Sequence, residues 1–170
     1  MFSLIIGGAG SGKSAFAETY VCGLGGRRIY LATMTAQDAE SLARIGKHRR
    51  LRSGSGFETL EQGMDLKRAA IPDEGNVLLE DLSNLLANEM FSPAGGGIRA
   101  VRDGITHLAS VSRHLTVVTN EVFSDGVKHN GETLCYLEKL ADLNRELAEQ
   151  ADLAVEVVCG LPNVLKGRLS

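Results

Sequence analysis

Cysteine is scarce in this chain: Cys22, Cys135 and Cys159 are odd in number and widely spaced. That pattern suits neither a zinc site nor a disulfide framework, and it points to a reducing compartment. Long hydrophobic runs are also missing, since no apolar stretch approaches the roughly 18 residues of a membrane span. The opening MFSLII carries no basic leader, so the expectation is a cytoplasmic protein with no membrane span. A formal charge of −3 gives no general pull toward nucleic acid or anionic lipid. Internal repeats and low-complexity tracts are absent too. What remains is an ordinary globular composition, 44% hydrophobic and 23% charged. At 170 residues it fills one core and leaves little for a second, so a single domain over 1–170 is expected.

The apolar pattern alternates between strand and helix. Phe2 to Ile6 is a short apolar run closed by Gly7-Gly8, the signature of a strand buried on both faces before a tight turn. A helix is expected from Lys13 to about Leu24, then a strand over Arg28 to Ala32 after Gly25-Gly26. A helix from about Ala36 to Arg50 ends in positive charge, and Arg52 to Gly56 reads as loop. Phe57 to Ala70 fits either a helix or a strand-helix piece. Val77-Leu78-Leu79 reads as a buried strand, Leu82 to Met90 as a helix, and Ser92 to Gly97 (SPAGGG) as a mobile loop. A helix over Ile98 to Ser112, a fourth strand at Leu115 to Thr119, a long helix over Thr133 to Ala151 and a fifth strand at Leu153 to Val158 complete the chain. Strands alternating with helices imply a mainly parallel sheet covered on both faces, with ligands outside the carboxyl ends of its strands.

Gly7-Gly8-Ala9-Gly10-Ser11-Gly12-Lys13-Ser14 fits the pattern G-x-x-x-x-G-K-[ST], and it stands between an expected strand and an expected helix. Glycines let backbone N–H groups turn inward on phosphate oxygens, and the helix dipole favours negative charge at that end. Lys13 would neutralise the outer phosphates and the Ser14 hydroxyl would ligate Mg²⁺. The fold class that follows is α/β, a P-loop NTPase-type three-layer sandwich. The motif does not choose between ATP and GTP.

Glu80 follows the apolar strand Val77 to Leu79, which resembles a Walker B strand, and is the preferred carboxylate beside Ser14 for the metal. Asp81 is close behind, and either acid could instead be a helix amino-terminal residue favoured by the dipole. Lys47-His48-Arg49-Arg50-Leu51-Arg52 is a second unusual cluster. Cations at a helix carboxyl end are common. They would also gather triphosphate charge and help keep His48 neutral, leaving a ring nitrogen able to attack phosphorus. Asn144 lies on the apolar helical stripe of Leu137, Leu140, Ala141, Leu147 and Ala148, where a polar group needs a partner in the core or in a site. His107, His114 and His129 show no partner pattern and are expected in solvent or at helix ends. Tyr20, Tyr30 and Tyr136 are expected to pack.

Taken together, these segments resemble the adenosylcobinamide kinase / adenosylcobinamide-phosphate guanylyltransferase family of cobalamin biosynthesis. The resemblance runs nearly end to end. It rests on the GGAGSGKS cradle, Tyr30-Leu31-Ala32-Thr33, Arg44-Ile45-x-x-His48-Arg49, Thr59-x-Glu61 and Val118-Thr119-Asn120-Glu121-Val122. Leu79-Glu80 with Asn88 eight residues on, Asn144, Ala151-Asp152 and Gly160-Leu161-Pro162-x-x-Leu165-Lys166 add to it. The resemblance implies phosphorylation of a corrinoid hydroxyl by ATP or GTP, then transfer of GMP to that phosphate through a guanylyl-histidine at His48. It also implies that Ala32, Thr33, Arg49, Arg50, Leu51, Arg52, Glu61 and Glu80 lie around the nucleotide, and that the protein is a homotrimer.

The chain departs from the family pattern at several points. Gly10 stands where the family usually has arginine, Phe123-Ser124-Asp125-Gly126 replaces a G-x-G, and Lys128 aligns with proline. Phe57 replaces a tryptophan, and the stretch between His48 and Thr59 is one residue longer. Both arginines of the family's A-R-x-F-R-D stretch are missing from Thr133 to Glu138 (TLCYLE). Nucleotide chemistry is well supported, whereas the corrinoid-facing part is altered. Three readings follow: the bifunctional enzyme, a kinase or nucleotidyltransferase with another substrate, or a nucleotide-binding regulatory paralogue without catalysis.

Overall fold

A computed structural model describes residues 1–34, 54–72, 75–122 and 131–169. Seven strands form one sheet: β1 (Phe2–Gly7), β2 (Arg28–Ala32), β3 (Phe57–Glu61), β4 (Asn76–Glu80), β5 (His114–Asn120), β6 (Leu153–Val158) and β7 (Leu161–Lys166). Four helices accompany them among the described residues: α1 (Lys13–Gly23), α2 (Leu82–Phe91), α3 (Gly97–Val111) and α4 (Gly131–Gln150). The order across the sheet is β3-β2-β4-β5-β1-β6-β7. Pairing is parallel from β3 through β6, and only β7 runs antiparallel, against β6.

The side-chain alternation of the strands explains the layers. In β2, β4 and β5 the residues Ile29, Leu31, Val77, Leu79, Leu115 and Val117 join Leu85, Leu86, Leu108, Leu140, Leu143 and Leu147 of α2, α3 and α4 in one apolar cluster. On the opposite face Ile5, Tyr30, Leu78, Val118 and Val155 pack with Ala17 and Val21 of α1. Strands covered on both faces favour apolar residues on both, which is why β1, β4 and β5 read as largely apolar runs, with Ser3, Thr116 and Thr119 buried among them. No described helix is long and apolar enough to cross a membrane, and all three cysteines are free.

The sheet has two strands more than the five expected. Phe57 to Ala70 resolves into strand β3 followed by a 3₁₀ turn at Leu66–Arg68. Strand β3 is an edge strand with exposed Glu58, Thr59 and Glu61, so its sequence lacks a clear buried face. Strand β7 is exposed along its whole length and carries Pro162, which only an edge tolerates. The glycine tract 92–97, expected as a mobile loop, is packed on Glu89. A Cβ on Gly95 would lie 2.2 Å from the Glu89 carbonyl oxygen, and the Glu89 carboxylate accepts the N–H of Gly96 at 2.8 Å. The expected helix 36–50 lies outside the described residues.

Candidate active site

Strand β1 delivers Gly7 to the carboxyl edge of the sheet, between β5 and β6. A Cβ at Gly7 would come within 2.5 Å of Ser11 Oγ and 2.7 Å of the Val157 carbonyl, so the loop closes only over glycine. Gly10 and Gly12 hold φ of 70° and 89°, in the left-handed region. The turn between β6 and β7 braces this loop from outside, through Gly160 N–H donating to the Ser11 carbonyl at 2.7 Å. Helix α1 then begins at Lys13 with no side chain capping it, so its amino end is left to a ligand. Lys13 is buried, and its ammonium donates to the Gly8 carbonyl at 3.2 Å, within the loop it would serve.

Across the sheet from this loop, β4 ends at Glu80. The Ser14 hydroxyl donates to Glu80 Oε1 at 2.6 Å, which joins the two metal-side groups expected from sequence. Burial is the main cause that raises the Glu80 pKa to about 7, with Asp81 and Glu18 adding to it and Ser14 and Lys13 opposing. The other oxygen, Oε2, is buried with no hydrogen-bond partner.

Asp81 takes the different role that the dipole argument allowed. It is the N-cap of α2, its Oδ1 accepting from Asn84 N–H at 2.8 Å and from Ser83 Oγ at 2.6 Å. Asn120 at the end of β5 donates to Asp81 Oδ2 at 3.2 Å and to Ser83 Oγ at 2.6 Å. Asn144 finds its partners in the core: Thr119 Oγ1 donates to its Oδ1 at 2.8 Å, and its Nδ2 donates to the Asn120 carbonyl at 3.4 Å. That pair fixes α4 against β5.

The structure therefore brings together Gly7, Gly8, Ala9, Gly10, Ser11, Gly12, Lys13, Ser14 and Glu80. Ala32 ends β2 and Thr33 follows it beside Glu80, with Ala32 in register with Glu80 on one side and with Glu61 on the other. Glu61 is exposed at the end of the edge strand. His48 and the run Arg49, Arg50, Leu51, Arg52 lie outside the described residues. Sequence reasoning gave no site role to Asn120 or Ser83, although Asn120 sits in the Thr119-Asn120-Glu121 stretch that supports the resemblance. His114 departs from expectation. It is buried, 2.9 Å from Ser3 Oγ and edge-on to Tyr20, at the opposite end of the strands from the cradle.

A divalent cation fits this corner. Mg²⁺ prefers hard oxygens and takes one or two protein groups plus substrate phosphates. Ser14 Oγ, Glu80 Oε1 and the unpartnered Oε2 are such a set. Among the described residues no cluster of three or more His, Cys, Asp or Glu could hold a metal by itself.

Sheet order and loop place the chain in the P-loop NTPase class. The fold is similar to that of a RadB recombinase crystal structure, with a TM-score of 0.50 at 13% identity over 91% of this chain and 73% of that one. Residues 3–165 match the family described as cobinamide kinase / cobinamide phosphate guanyltransferase, and the chain belongs to that family. A relative from Pseudomonas aeruginosa, the bifunctional adenosylcobalamin biosynthesis protein CobP, is 32% identical over 98% of each chain. The bifunctional adenosylcobalamin biosynthesis protein CobU of Salmonella typhimurium is 30% identical, over 95% of this chain and 97% of its own.

Proposed function

We propose that this chain is a bifunctional enzyme of cobalamin biosynthesis. It phosphorylates adenosylcobinamide with ATP or GTP, and it transfers GMP from GTP to adenosylcobinamide phosphate. The observation that carries this reading is the assembled cradle, in which Lys13 and Ser14 from α1 meet Glu80 from β4 in a chain matched along 3–165.

In the kinase step the acceptor hydroxyl attacks the terminal phosphorus and releases its proton to solvent, the bond to the bridging oxygen breaks, and a nucleoside diphosphate leaves. Charge spreads over the phosphoryl oxygens, so stabilisation depends on fixed donors. The amino end of α1 and the Lys13 ammonium supply them. Ser14 and Glu80 would hold Mg²⁺, which would neutralise further phosphate charge. In the transfer step a ring nitrogen of His48 attacks the α-phosphorus of GTP and pyrophosphate leaves. An oxygen of adenosylcobinamide phosphate then attacks the same phosphorus and frees His48. Arg49, Arg50 and Arg52 stand beside His48 in sequence and suit the triphosphate charge. We further propose that the enzyme is cytoplasmic and, by family resemblance, a homotrimer.

The test is incubation with Mg²⁺ and GTP labelled at the α-phosphate, followed by denaturing separation, with His48→Ala in parallel. Label that stays on the protein, is lost in acid and vanishes in the variant is the expected result. GTP binding without any label would sink the transfer step and leave a kinase or a regulatory paralogue.

A further inference from the structure

Thr33 is the residue on which the strand ends beside the cradle converge. It is fully buried. Its N–H donates to the Glu80 carbonyl at 3.0 Å, which extends the β2–β4 pairing one step past the last strand residue. Its hydroxyl is used twice on the next residue: Thr33 Oγ1 donates to the Asp81 carbonyl at 2.8 Å and accepts the Asp81 N–H at 2.8 Å. Its carbonyl accepts from Asn88 Nδ2 at 2.9 Å, and the same nitrogen reaches the Gly63 carbonyl at 3.0 Å. Every polar group of Thr33 is thus engaged inside the protein, with its one hydroxyl proton on Asp81. Asn120 holds Asp81 from the other side, through the carboxylate.

We propose that Thr33 is a positioning residue: its hydroxyl clamps the backbone of Asp81 and so sets the Glu80 carboxylate against Ser14. The inference rests on the metal-side assignment of Ser14 and Glu80 made above, and it adds a supporting role for Thr33 behind the metal. The physical reason is leverage. Glu80 is the last residue of β4, and beyond it only Asp81 and the start of α2 hold the chain. An amide N–H buried at Asp81 without its acceptor costs more than a lost surface contact. The chain would shift to satisfy it, and the Glu80 side chain would shift as well. Asn120 supports the same residue, so Thr33 and Asn120 act on Glu80 as one clamp.

The experiment is titration of Mn²⁺ as a probe of the metal corner, read by electron paramagnetic resonance, in the presence of α,β-methylene-GTP. It uses the wild-type chain, Thr33→Val, Thr33→Ser and Asn120→Ala. Metal-free binding of the same nucleotide is measured alongside. Thr33→Val and Asn120→Ala should weaken Mn²⁺ binding about tenfold, the lower end of what loss of a supporting hydrogen bond does to a metal site. Metal-free nucleotide affinity should hold, and Thr33→Ser should restore the wild-type Mn²⁺ constant. If Thr33→Val fails to fold, Asn120→Ala and Thr33→Ser carry the comparison. Unchanged Mn²⁺ binding in the clamp variants overturns the inference, as does a fall in metal-free nucleotide affinity matching the fall for Mn²⁺. A wild-type protein that binds nucleotide yet no Mn²⁺ overturns the metal-side assignment itself, and that result is distinct from either of the others.

Discussion

Lys13 lies buried inside its own loop, so its side chain needs no ordering on ligand arrival beyond exchange of the Gly8 carbonyl for a phosphate oxygen. A charged hydrogen bond of this kind contributes about 1.5–3 kcal/mol, or roughly ten- to a hundredfold in affinity. Lys13→Met keeps the apolar stem and removes the charge. It should weaken binding of tripolyphosphate and of GTP by the same factor, which calorimetry can read on both ligands. A loss confined to GTP would mean that Lys13 serves the nucleoside instead. At this scale the sequence was informative wherever chemistry demands one residue type at one spacing, as in Gly7 to Ser14. Between the two adjacent acids it favoured Glu80 as the carboxylate beside Ser14, with Asp81 close behind. Glu80 and Asp81 differ in role only because strand alternation turns one toward Ser14, while the other begins α2.

Helix α3 and the 3₁₀ turn at Leu66–Arg68 show how an element depends on a single small residue. Gly104 sits mid-helix, where glycine costs about 1 kcal/mol relative to alanine. A Cβ there would lie 2.7 Å from the Leu66 Cβ, and Leu66 is fully buried. Overpacking of that kind costs about 1–3 kcal/mol, so the close approach outweighs propensity. Gly104→Ala should lower the midpoint of thermal unfolding by a few degrees. A higher midpoint would show that Leu66 moves aside at no cost. The same logic separates elements that can be read from sequence from those that cannot. Buried strands β1, β4 and β5 announce themselves because both faces are largely apolar. Edge strands β3 and β7 do not, since the partner on one side supplies the register and solvent covers much of the rest.

Across the whole molecule, the parallel sheet and its two helical layers followed from the alternation of elements, but the polar groups buried between distant segments did not. Asn144 could be flagged because it interrupts an apolar stripe. His114 could not, for its partners Ser3 and Tyr20 lie 111 and 94 residues away, and the β1–β5 pairing and the packing of α1 on the sheet bring them together. Burial pushes the His114 imidazole down to about 4, helped by the Met1 ammonium and opposed by Asp152. Glu80, by contrast, is pushed up to about 7. These shifts act on stability with opposite signs. Between about 4 and 6.5 the unfolded chain binds a proton at His114 that the fold does not, so stability falls as pH falls through that window. Between about 4.5 and 7 the fold keeps a proton on Glu80 that the unfolded chain has lost, so stability falls as pH rises. Each effect is on the order of 3 kcal/mol, and in the wild-type chain they largely cancel where the windows overlap. Urea unfolding at stepped pH, without metal or nucleotide, separates them by difference from wild type. Relative to wild type, Glu80→Gln should gain stability steadily from pH 4.5 to 7, because it never has to bury the charge. His114→Gln should gain relative to wild type as pH drops from 6.5 to 4. Parallel curves for all three proteins would mean that neither group keeps its shifted pKa in the fold.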